Sequence, residues 1–238
     1  MLGLIFLLKS WGPVSAAQTS QGQSLGEQAV DQRIPPEKRK ATMIQLLKSK
    51  NSQERDEVFA IASNREIYVE IRVQAVNAIG EEGTVEDSYG VSNLLQPYNP
   101  MVLRLAVGST IEKIGCSMGC VANVLHYLER IWKGEHALED WVMIPGDPIK
   151  TDQVSKQNLE VSLLYVLIHN KKDTRFVLTS VYGLGTEFPS PTAILAVEKL
   201  RLTEACPDLR RANRVAPPPD EAIRKDLERV LNGVCRSK

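Results

Sequence analysis

The sequence predicts an all-α protein, an α-α superhelix or solenoid of about four to five helical pairs stacked side by side. Three observations predict it. Apolar residues recur at helical spacing along most of the chain: Met43, Leu46 and Leu47, then Val58, Ile61 and Ala62, then Ile71, Ala75, Ala78 and Ile79. No stretch alternates apolar and polar residues in the manner of a half-buried strand. Turn signals at Asn51-Ser52 and at 80–83, 97–100 and 115–119 interrupt the pattern, and short helices with short connectors pack as antiparallel hairpins.

The chain opens on an apolar run, Leu2 to Leu8, with Lys9 at its end and Pro13-Val14-Ser15-Ala16-Ala17-Gln18 after it. Val14-Ser15-Ala16 and Ser15-Ala16-Ala17 both meet the small-x-small rule of signal peptidase, so residues 1–17 are expected to be a signal peptide. The run is short for a bilayer crossing, and no stable membrane span is expected after cleavage. The expected location is the bacterial periplasm or the extracellular space. Residues 18–34 are rich in Gln, Ser and Gly and read as a flexible lead-in. Residues 35–238 are expected to form the solenoid.

Within that span a pattern repeats. Aligning Arg72 with Arg104 gives a period of 32, and Ile71 then meets Leu103, Ala75 meets Val107, Ile79 meets Ile111 and Gly83 meets Gly115. A further copy is expected at Arg175, with Leu178, Val181 and Tyr182, and an earlier one at Lys40, with Met43, Leu46 and Leu47. Asn stands five before Arg at both Asn99 and Asn170; Asn caps helices, and the Pro at position 100 suits a first turn. The arginine is expected to bond to the polar turn of a neighbouring unit.

These residues resemble the HEAT-like repeat family of armadillo-type α-solenoids. In that family the second helix of each pair opens on an Asp/Asn-Pro turn and a Val-Arg pair, carries small residues at three-residue spacing and closes on Gly. Asn99-Pro100, Leu103-Arg104 and Gly115 match, as do Ile71-Arg72, Ala75, Ala78, Ile79 and Gly80. The match is clear over 55–115 and extends to 157–185. The interval from Arg104 to Arg175 exceeds two periods, which implies an enlarged or degenerate unit there. Members of the family are mostly scaffolds with varied partners, so the resemblance implies architecture more than activity.

Residues 134–153 are the longest irregular stretch and hold Trp141, Pro145, Asp147 and Pro148. Long connections of this kind concentrate recognition, and Tyr127, Trp132, Trp141 and Asp147 are the candidate protein-binding residues. From Leu159 to Ile168 the chain is nearly continuously apolar, which predicts a helix buried on most faces. Residues 219–235 read as a terminal capping helix, with Ile223, Leu227, Val230, Leu231 and Val234 on one stripe behind a Pro217-Pro218-Pro219 spacer.

Four cysteines, Cys116, Cys120, Cys206 and Cys235, fit an oxidising compartment. Three pairings are open; a Cys206–Cys235 bond is preferred, as a staple on the last helix. Cys116 and Cys120 stand about one helical turn apart. No Asn-x-Ser/Thr acceptor occurs, so nothing points to a glycosylated secreted protein.

The chemistry is sparse. With 29 Lys plus Arg against 29 Asp plus Glu the chain has no basic field, which argues against nucleic acid as a partner. His126, His136 and His169 make no metal-ligand pair, and Cys116, Cys120 and His126 are better read as a disulfide beside an ordinary histidine than as a zinc site. Gly183-Leu184-Gly185 is the end of a repeat helix rather than a phosphate loop, and the acidic pairs and short basic runs, Arg210-Arg211 among them, are solvated faces. No cofactor and no catalytic residue is expected. The expected function is a non-catalytic adaptor for another protein. Two alternatives remain: a structural component of an envelope complex, or an enzyme similar to the chromophore lyases built on HEAT-like repeats.

Overall fold

In the computed structural model, residues 23–133, 153–215 and 220–236 are described, and among them the chain is helical with no strand. The twelve α-helices are α1 (Leu25–Val30), α2 (Pro36–Lys48), α3 (Ser52–Ser63), α4 (Val69–Glu82), α5 (Ser88–Ser92), α6 (Met101–Ile114), α7 (Met118–Trp132), α8 (Gln153–His169), α9 (Lys171–Ser180), α10 (Pro191–Leu200), α11 (Cys206–Val215) and α12 (Glu221–Asn232). Local chemistry sets their starts. Asn51, Ser117, Ser190 and Asp220 each accept a backbone N–H of the following turn, and Pro36 and Pro191 occupy first-turn positions that need no donor.

The helices stack in two files. The even-numbered helices follow one another, α2 on α4, α4 on α6, α6 on α8, α8 on α10 and α10 on α12. The odd-numbered helices lie behind them, α5 on α7 and α7 on α9, with α3 reaching α5 through Phe59 against Gly90. One continuous apolar core fills the space between the files, from Ala29 and Met43 at one end to Leu227 and Val230 at the other. Among the described residues the architecture is an all-α, solenoid-like array, in which α1 packs on α2, α3 on α4, α5 on α6, α7 on α8 and α11 on α12. The C-terminal helix, Glu221–Asn232, packs on α10 and α11.

Four readings of the sequence are corrected. Residues 18–34 are not all lead-in: α1 is fixed by a reciprocal Ser24–Glu27 capping box, and Ala29 is buried. The small residues that looked flexible let α1 lie close to α2. At the alignment made on Lys40, the buried cation is Arg39 instead. Arg39 is buried and donates to the carbonyl of Ile34 and to Gln74 on α4, whereas Lys40 lies outward against Glu81 at 2.5 Å. Arg175 is not a repeat arginine. It lies on α9, in the odd file, and pairs with Asp208 on α11 at 3.4 Å; Thr174 takes the buried position beside it. Lastly, α8 is buried on one side only, through Leu159, Leu163, Val166 and Leu167. Its neighbours cover that side and leave the opposite face open.

Candidate functional site

Arg72 and Arg104, which stand 32 residues apart, tie successive helices together in the interior. Arg72, buried on α4, donates Nε to the Ala62 carbonyl at 2.9 Å and Nη2 to Asn99 Oδ1 at 2.6 Å, and Asn99 in turn donates to the Leu94 carbonyl. Arg104 on α6 donates to the Tyr127 hydroxyl at 2.8 Å, one helix further along. Each guanidinium thus joins its own helix to another element. Burial lowers the pKa of Arg72, but its two oxygen acceptors keep the cation satisfied.

The Arg104 bond decides what Tyr127 is for. Only 4% exposed, Tyr127 is a packing and hydrogen-bonding residue within the array rather than part of an open surface. Trp132 is half-buried and donates Nε1 to Glu160 Oε1 at 3.1 Å, tying α7 to α8. Trp141 and Asp147 lie outside the described residues, as do the signal-peptide region and the Pro217-Pro218-Pro219 spacer. Of the four candidates, the described residues thus hold Tyr127, which serves the interior, and Trp132, which ties α7 to α8.

The cysteines pair as Cys116 with Cys120 and Cys206 with Cys235, with Cα–Cα distances of 5.4 and 5.5 Å. The first pair clips the entry of α7, and the second holds the end of α12 against the start of α11. Among the described residues no group of three or more His, Cys, Asp or Glu could hold a metal ion, and no helix is long and apolar enough to cross a membrane.

A polar node lies where α7 meets α10. Glu129 accepts from Lys133 Nζ at 2.7 Å and Thr192 Oγ1 at 2.6 Å, with His126 Nδ1 at 3.8 Å. Burial pushes the Glu129 carboxyl up, yet these partners outweigh it and hold it below its ordinary value. Tyr182 beside it is pushed up to about 12, first by burial and then by the Glu129 charge. The node joins elements and offers little reactive chemistry, since the carboxylate's partners already satisfy it.

The surface feature that sequence reasoning missed is on α8. Val161, Tyr165 and Ile168 are 65%, 54% and 38% exposed, and their spacing of four and three places them on one stripe. Tyr165 also stacks on His169 at 3.8 Å between ring centroids. Polar contacts flank the stripe: Glu112 of α6 bonds Ser162, and Lys199 of α10 lies 4.0 Å from Glu160. An apolar strip rimmed by charge is the usual composition of a protein-contact surface. The signal was present in the sequence as a helix apolar all round, which was assigned to the core.

The fold defines a class, the all-α solenoid-like proteins, and comparison adds no relative to it. No family model, characterised protein or solved structure matches the chain.

Proposed function

We propose that this chain is an exported, HEAT-like repeat protein that binds another protein on the even-numbered file of its array, without catalysis. The observation that carries the reading is the α8 stripe of Val161, Tyr165 and Ile168, three large apolar side chains held in water by a rigid helix. A stacked array supplies a preformed surface, so binding there loses little conformational freedom. The HEAT-like assignment is supported by the Arg72–Asn99 bond, which joins a second helix to the turn that opens the next. Export is supported by the two cysteine pairs, since such bonds persist in oxidising compartments.

The test places a photo-crosslinking residue at Tyr165, with Glu54 on α3 as the control position, in cells that express the full chain. One defined protein adduct at Tyr165, absent at Glu54 and lost in V161D/I168D, is the expected result. Equal labelling at both positions, or none at Tyr165, would sink the proposal. Cell fractionation with mass determination of the mature N-terminus tests export: an intact residue 1–17 segment in the cytoplasmic fraction would overturn that half.

A further inference from the structure

Pro207, Arg210, Arg211 and Arg214 are spaced three, one and three apart, which places all four on one face of α11. They line a depression of about 430 Å³. Three guanidiniums in little more than one helical turn repel one another, and a solvated charged face usually relieves this by interleaving acids. Here the partners are mostly neutral. Arg210 Nη2 donates to the Cys235 carbonyl at 2.5 Å, and Arg211 Nη2 donates to the Gly185 carbonyl at 2.6 Å. Carbonyl oxygens orient a guanidinium without cancelling its charge. The nearby acid, Asp208, is divided between Arg175 at 3.4 Å and Arg211 at 3.3 Å. Arg214 has no hydrogen-bond or ion-pair partner among the described residues.

We propose that this face of α11 is a binding site for a phosphate-type oxyanion, with Arg210 and Arg211 as the positioned arms and Arg214 beside them on the same face. Each guanidinium has five N–H donors, and those already engaged leave most of the planar fork open for bidentate contact with a tetrahedral anion. Pro207 gives the depression an apolar wall. The site is built by tertiary structure: the Cys206–Cys235 pair holds the Cys235 carbonyl where Arg210 reaches it, and the turn after α9 supplies Gly185. It lies on the odd-numbered file, apart from the α8 stripe, and stands or falls independently of it.

The test is NMR titration of the full chain with inorganic pyrophosphate at constant ionic strength, reading the arginine Nε–H signals. Saturable shifts at Arg210, Arg211 and Arg214 are expected, with affinity reduced about tenfold in R214Q, a position with no hydrogen bond or ion pair among the described residues. R211Q is the second variant and is expected to weaken binding similarly; K171Q/K172Q on α9 is the control and is expected to bind unchanged. Shifts that never saturate, or an affinity indifferent to both R214Q and R211Q, would overturn the proposal. Co-sedimentation then separates the sources. Binding to phosphatidylcholine vesicles that contain phosphatidylglycerol, lost in R214Q, supports a lipid headgroup; pyrophosphate binding without vesicle binding supports a soluble phosphate.

Discussion

Arg72 shows how a single side chain can hold successive helices in register, through Ala62 on α3 and Asn99 before α6. Its guanidinium is buried, so removing Asn99 strands a cation in the core instead of returning it to water. N99A should therefore lower stability by about 2–3 kcal/mol, measured by urea unfolding. Y127F should cost less, about 1 kcal/mol, because one hydrogen bond to Arg104 is lost while the ring still fills its place. Tyr182 carries a pH signature. Its pKa in the fold, raised from 10.0 to about 12, means that stability is intact below about 10 and falls as pH rises toward 12. Y182F should flatten that alkaline fall in a plot of thermal midpoint against pH. The roles of Arg72 and Arg104 were legible because the repeat aligns them. The choice between Arg39 and Lys40 was not, because two adjacent cations are equivalent in sequence and only burial separates them.

Helix α8 carries the lesson at the scale of the element. Periodicity reports which faces are apolar, and it does not report whether a neighbour covers them. A run from Leu159 to Ile168 thus looked like core on most sides, while the array has helices on only one of them. α1 failed in the opposite direction, since a sequence poor in large apolar residues still folds when its Ala29 side meets a finished core. The seat of α8 is set by Gly108, where an added Cβ would lie 3.2 Å from Leu159 and 3.3 Å from Ser162. G108L should push α6 and α8 apart at about 1–3 kcal/mol, and amide exchange should rise in α8 before it rises in α4. Equal exchange in both helices would mean that the array unfolds only as a whole.

Across the whole molecule, stability depends on how its ends are closed. Each unit contacts mainly its neighbours, so a terminal helix has a partner on one side only and frays first. The Cys206–Cys235 bond counters this at the C-terminal end, closing a separation of 29 residues against 4 for Cys116–Cys120. The chain-entropy treatment assigns the longer closure about 3.6 kcal/mol and the shorter about 2. C206S/C235S should accordingly lower the thermal midpoint more than C116S/C120S, and limited proteolysis should cut first within α12. If the shorter closure proved the more important, the stabilisation would have to come from packing at α7 rather than from chain entropy.

By itself the sequence determined that the described residues are helical, that α6 starts behind Pro100 and α12 behind Asp220, and that Arg72 and Arg104 occupy matching positions. Those properties follow from spacing and capping within about thirty residues, the range over which one repeat unit is written. Tertiary structure alone decided that Tyr127 serves the interior, that α8 shows an apolar face to solvent, and that Arg210 and Arg211 on α11 are oriented by carbonyls while Asp208 is shared with Arg175. The physical reason is the same in each case. Exposure and charge compensation are properties of what packs against a residue, and in a stacked array that neighbour comes from a different unit of the chain.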